Sequence, residues 1–133
     1  MSALLYEMIA ELAYNTENLQ LVTVNGQRNK IIVAADWIRL HSEELLTLEL
    51  IAETAGYSVS HFSRQFHQLM GQTPIEFLTE CRILHSKKLL VSTDLSVKGI
   101  SEKVGFSSSA YYIQRFRKFE NMTPEQFRRL RRG

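Results

Sequence analysis

The sequence holds a single cysteine, Cys81, so no internal disulfide can form. Its apolar runs are only a handful of residues long, far short of the roughly 18 needed to span a bilayer. The opening stretch, MSALLYEMIAEL, carries acids and no basic start, so it does not read as a secretory signal. There is no glycine-rich phosphate loop, and no nucleophile stands in a motif with a base. Cys81 and His85 lie four residues apart, a spacing compatible with a metal on one helix, but two ligands do not close a site. These absences predict no cofactor, no metal, no enzyme activity, and a soluble, cytoplasmic protein. At 133 residues and 44% apolar, the chain suffices for one domain, or two very small ones, folding without covalent staples.

Charge is unevenly placed. The formal net charge is +2, but residues 1–30 sum to −1, residues 31–94 to −3 and residues 95–133 to +6. A basic last third makes a polyanionic partner plausible. Arg128, Arg129, Arg131 and Arg132 near the C-terminus fit that reading and equally fit a solvated helix face.

The strongest feature is an internal repeat. Residues 46–77 read LTLELIAETAGYSVSHFSRQFHQLMGQTPIEF, and residues 95–127 read LSVKGISEKVGFSSSAYYIQRFRKFENMTPEQF. Leu46-Thr47 matches Leu95-Ser96, Ile51 matches Ile100, Gly56-Tyr57-Ser58 matches Gly105-Phe106-Ser107, and Ser60 matches Ser109. Beyond that point the second copy has one extra residue, so that Phe66 matches Phe116, Thr73-Pro74 matches Thr123-Pro124, and Phe77 matches Phe127. Thr47 and Ser96 are suited to cap a helix, and Gly56 and Gly105 to end one in the left-handed conformation. Ser58 and Ser107 lie just before a second helix. Helix, short glycine turn, helix is a helix-turn-helix. Ala52 and Ser101 are small where two helices cross. Phe62 and Phe66, like Tyr112 and Phe116, stand at i, i+4 and predict a core face. Ser60, His61, Ser63, Arg64 and His67 form the opposite, polar face.

Residues 31–44 predict a helix with Ile31, Ala34, Ala35 and Ile38 on one stripe and Trp37 joining the core. Pro74 suits the first turn of a helix running to about Val91, with Phe77, Leu78, Cys81, Leu84, Leu89 and Leu90 mostly inward. Ser92-Thr93-Asp94 ends that helix, and Pro124 starts a closing one. Residues 1–30 match neither copy: Leu4, Leu5, Met8, Ile9 and Leu12 predict a short amphipathic helix, and Asn25-Gly26 is a turn signal.

With these pieces in place, residues from about 31 to 132 resemble the DNA-binding domain of the AraC/XylS family. The carrying motif is TDLSVKGISEKVGFSSSAYYIQRFRKFENMTPEQFRRLR, supported by the first copy and by RILHSKKLL. The resemblance implies an all-α fold of about seven helices. The domain would span 31–133, with a first helix-turn-helix over about 47–70, a linker helix over about 74–91 and a second helix-turn-helix over about 96–119. Residues 1–30 would be a linker, or the remnant of a larger effector and dimerisation domain. The implied function is bacterial transcription regulation, usually activation, on double-stranded promoter DNA, with RNA polymerase as a further partner. Residues 31–133 are expected to act as a monomer, with dimerisation through a domain not present in the chain. The family often has alanine where Ser86 and Ser101 stand, glycine at Asn121, and in many members arginine at Gln114.

By motif position the resemblance sets Ser60, Ser63 and Arg64 of the first recognition helix against base edges, and Ser109, Ala110, Ile113 and Gln114 of the second. Arg64 suits the O6/N7 edge of guanine, Gln114 an adenine, and Ile113 a thymine methyl. Phosphates fall to the helix starts at Ser58 and Ser107 and to Arg115, Arg117 and Lys118. The competing reading is a protein-interaction module that contacts polymerase or a partner regulator without reading DNA.

Overall fold

The computed structural model describes residues 19–133, and they form seven helices with no strand among them. In order these are α1 (Leu19–Leu40), α2 (Leu48–Thr54), α3 (Val59–Met70), α4 (Pro74–Ser92), α5 (Val97–Val104), α6 (Ser109–Glu120) and α7 (Pro124–Arg132). They divide into two compact units. The first takes α1 as far as Ile38 together with Thr47–Pro74, and the second takes Arg39–Leu46 with Ile75–Gly133.

Caps set the start of nearly every short helix. Thr47, Ser58, Ser96, Ser108 and Thr123 each have extended backbone, and each hydroxyl accepts from the amide three residues on. Thr123 and Gln126 close a reciprocal capping box, with Pro124 in the first turn of α7. The two helix-turn-helix turns close alike. Tyr57 N–H donates to Ala52 O and Gly56 N–H to Glu53 O; Phe106 N–H donates to Ser101 O and Gly105 N–H to Glu102 O. This two-bond closure requires a left-handed residue, supplied by Gly56 at φ 79° and Gly105 at φ 107°. Asn121 takes the same conformation after α6, at φ 59°, where Gly71 does so after α3.

The first unit is centred on Ile31, Ala34, Ala35 and Ile38 of α1, Ile51 and Ala52 of α2, and Phe62 and Phe66 of α3, all buried. The second is centred on Ile83 and Leu90 of α4, Ile100 and Val104 of α5, Phe106 of the turn, Tyr112 and Phe116 of α6, and Phe127 of α7. Its rings form a chain of contacts, Phe106–Tyr112 at 5.1 Å, Tyr112–Phe116 at 5.8 Å and Phe116–Phe127 at 5.5 Å. Each large side chain fully buried in this way contributes roughly 1.5–3 kcal/mol.

Four expectations change. The helix predicted over 31–44 begins at Leu19 and ends at Leu40, so residues 19–30 are helical. Asn25-Gly26 is therefore no turn. An Asn-Gly turn is a hairpin signal, and here no strand flanks it. A glycine inside a helix costs only about 1 kcal/mol, which the packing of Ile31 and its neighbours exceeds. Trp37 is half-buried; with exposed Val33 it lines an open hollow between α1 and α2. On α4, Leu84 is 51% exposed while Ile83 is buried. That helix is buried on two opposite sides, Phe77, Leu78 and Cys81 on one and Ile83, Ser86 and Leu90 on the other, so no single periodic stripe assigns Leu84. The amphipathic helix expected around Leu4–Leu12 lies outside the described residues.

The fourth change is the position of the extra residue. The second copy inserts it in the turn, before the helix: Gly56-Tyr57-Ser58 answers to Gly105-Phe106-Ser107-Ser108, and the cap is Ser108, not Ser107. From there the two helices run in step, twelve residues each, from Ser58 to Gly71 and from Ser108 to Asn121. Ser60 therefore answers to Ala110, Ser63 to Ile113 and Arg64 to Gln114, whereas Ser109 answers to Val59.

Candidate nucleic-acid interface

Burying Phe62 and Phe66 fixes what α3 presents outward. Ser60, Arg64 and His67, at i, i+4 and i+7, form one exposed stripe opposite the buried rings. Ser63 and His61 flank it, both half-buried, with the His61 ring edge-on to Tyr57 at 4.9 Å. In α6 the buried rings of Tyr112 and Phe116 turn outward the equivalent stripe, Ala110, Gln114 and Arg117. Tyr111, 42% exposed, and Lys118 border it. Ile113 packs partly against the second core, and Ser109 is half-buried in the first turn. Each recognition helix thus has a polar, solvent-facing ridge of the same register. His67 belongs to that ridge, and its i+3 spacing from Arg64 was the signal for it.

The two ridges differ in charge. Arg64 is the one fixed cation of the first. The second carries Arg117 with Lys118 beside it, and Lys98 and Lys103 stand exposed on α5. Arg115 is held differently: its guanidinium stacks over Phe119 at 5.8 Å, with Nε buried. At the helix starts, Ser58 and Ser108 spend their hydroxyls on the amides of His61 and Tyr111. Ser107, placed by the sequence at the helix start, is exposed one residue before the cap.

Half of the basic C-terminal end is internal fastening. Arg128 donates through Nε to Leu90 O at 3.0 Å and through Nη2 to Leu95 O at 2.6 Å. Arg132 donates to Thr93 O at 3.0 Å and to the Asp94 carboxylate at 2.8 Å. The latter contact holds the Asp94 carboxyl below its ordinary range. Arg131 lies over the Phe127 ring at 5.3 Å, and Arg129 is exposed. The first copy repeats the fastening. Arg82, eight residues after Pro74 as Arg132 is after Pro124, donates to Ser42 O at 2.7 Å and to Glu44 O at 2.8 Å. Glu44 precedes its helix cap Thr47 by three residues, as Thr93 precedes Ser96. This was invisible in sequence matching, because the partners are backbone carbonyls.

Two further ionisable groups, Cys81 and Tyr112, are buried within the fold. Burial pushes the Cys81 thiol up to about 11 and the Tyr112 phenol up to about 12. Among the described residues no three His, Cys, Asp or Glu side chains gather as a metal site, and no helix is long and apolar enough to cross a membrane.

Comparison with known proteins gives the same picture. Residues 51–130 match a family profile described as a helix-turn-helix domain. Over 95 residues the chain is 36% identical to the uncharacterized HTH-type transcriptional regulator YdeC of Bacillus subtilis, covering 71% of this chain and 33% of that protein. It spans 13–33% of the length of the relatives it first matches. The DNA-binding domain of AdpA, a global transcriptional factor solved in complex with a target DNA, has a TM-score of 0.73 at 28% identity. That match covers 77% of this chain and 92% of that one. A transcriptional regulator with an AraC-type DNA-binding domain from Chromobacterium violaceum gives 0.73 at 30% identity, covering 80% of this chain and 95% of that one.

Proposed function

Because the chain belongs to the AraC-type helix-turn-helix regulators, we propose that it binds double-stranded promoter DNA and regulates transcription by laying α3 and α6 in successive major grooves. Two such helices, one duplex turn apart, would read half-sites separated by about 10 base pairs without needing a palindrome. The observation that carries this reading is the duplicated outward ridge, Ser60-Arg64-His67 and Ala110-Gln114-Arg117, in the same register on each second helix.

The roles divide by chemistry. Arg64 is exposed and carries a planar donor fork suited to guanine O6/N7, with Ser60 and Ser63 as shorter contacts beside it. Gln114 can bond an adenine edge, and Ala110 leaves room for the groove floor. Ile113 and Ser109, being half-buried, would touch only the groove margin. Arg117 and Lys118 hold phosphates, as do the helix starts at Ser58 and at Ser107-Ser108. Arg115, stacked on Phe119, would reach a phosphate only through its outer nitrogens. Action in the cytoplasm, activation, and contact with RNA polymerase follow from the family resemblance and complete the reading.

Selection of bound duplexes from a random library tests it. Two short motifs separated by about one helical turn are expected. Arg64→Ala should weaken specific binding by about 1–3 kcal/mol and relax a single base position. Absence of salt-dependent duplex binding at low ionic strength would overturn the proposal, because phosphate contacts impose a steep salt dependence.

A further inference from the structure

Helix α1 shares a hollow with the recognition helix of its own unit. Gln27, Arg28 and Ile31 of α1 face Gln65, Gln68 and Leu69 of α3 across a shallow hollow of about 220 Å³. Ile31 is the buried member, and Arg28 is exposed. Gln68 follows Arg64 by four residues, so the hollow that Arg28 lines borders, at Gln68, the side of α3 that carries Arg64. Lys30 projects from the other side of Ile31. Its ammonium lies 5.8 Å from the Tyr57 ring centre, immediately before the Ser58 cap. These two cations therefore straddle Ile31, one beside the start of α3 and one beside its C-terminal half.

Charge makes their position matter. From Gly26 onward the first unit holds three fixed cations, Arg28, Lys30 and Arg64, against Asp36, Glu49 and Glu53. Without Arg28 and Lys30, a single arginine would face a polyanion from a unit of net negative charge. A helix with side chains is roughly 10–12 Å across and fills a major groove about 12 Å wide, so phosphates pass along its flanks. Resting on the DNA-binding reading above, we propose that Arg28 and Lys30 are a phosphate clamp for the first unit, supplied by a segment outside the matched residues 51–130.

The test is the salt dependence of duplex binding for the full chain and for Arg28→Ala, Lys30→Ala and the double variant. Each lost phosphate contact should lower the slope of log K against log salt by about 0.9. Between 50 and 200 mM salt, the double variant should then lose about 12-fold less affinity than the parent chain does. Selected and unselected duplexes should weaken alike, and Arg28→Lys should keep the parent slope. Both side chains are exposed, so thermal melts monitored by circular dichroism should stay cooperative, unchanged for Arg28→Ala and shifted slightly for Lys30→Ala by loss of the Tyr57 contact. An unchanged slope in the double variant, or a loss confined to one base position, overturns the clamp while leaving the DNA-binding reading intact. A parent chain without salt-dependent binding overturns both.

Discussion

Gly56 and Gly105 occupy the same place in the two turns, yet replacing them should have unequal cost. Alanine at either position must adopt a positive φ, a strain of about 1–2 kcal/mol. At Gly56 that is the whole effect, because an added Cβ would meet nothing within 4 Å. At Gly105 the Cβ would stand 2.8 Å from Arg82 Nε, 2.8 Å from Ser42 O and 3.0 Å from Glu43 O. Relief requires moving the arginine and the carbonyl it holds, which sacrifices at least one hydrogen bond from a charged donor, roughly 1.5–3 kcal/mol. Gly105→Ala should therefore cost about 2.5–5 kcal/mol against about 1–2 for Gly56→Ala. Urea titration followed by circular dichroism measures both. In an Arg82→Ala background the loop carbonyls are no longer held, and the cost of Gly105→Ala should fall toward that of Gly56→Ala. Equal costs for the two alanines in the parent chain would refute the reasoning.

Other consequences are measurable with the same protein. Cys81, with its thiol pushed up to about 11 from an ordinary 9.0, should alkylate at pH 8 about a hundredfold more slowly than an exposed cysteine, as followed by mass spectrometry; labelling at the ordinary rate would contradict its burial. The raised values of Cys81 and Tyr112 stabilise the fold fully below the unfolded-state values of 9.0 and 10.0. Urea midpoints should therefore fall as pH rises through about 9 to 12, and the Cys81→Ala variant should lose the lower part of that decline. Arg128→Ala leaves the carbonyls of Leu90 and Leu95 without their charged donor and should destabilise by roughly 1.5–3 kcal/mol in urea titration. A neutral result would mean that water replaces the guanidinium at no cost.

What the sequence revealed and what it hid divide by the range of the interaction. Caps at Thr47 and Ser96, and the left-handed Gly56 and Gly105, are decided within four or five residues and were legible. So were the i, i+4 rings of each recognition helix, and with them the outward positions of Arg64 and Gln114. The arginine fastenings were not legible: Arg82, Arg128 and Arg132 reach carbonyls 33 to 40 residues away, and a carbonyl leaves no mark in the sequence. The sequence points to Ser107 before the second helix, but either serine can cap, and with Phe106 and Tyr112 packed in the second core the cap is Ser108. Arg28 and Lys30 fall in a stretch that matches neither copy, and the Asn-Gly pair before them signals a turn that the continuing helix overrides.

The extra residue in the second turn has a consequence for how such a protein can change. Within an α-helix one inserted residue rotates everything after it by about 100°. Inserted inside α6, it would have swung Gln114 and Arg117 off the solvent side and driven an aromatic ring outward. Placed between Gly105 and Ser108, it is absorbed by extended backbone, and the serine cap restarts the count. The turn is thus a gap where length can vary while the outward face of the following helix keeps its register.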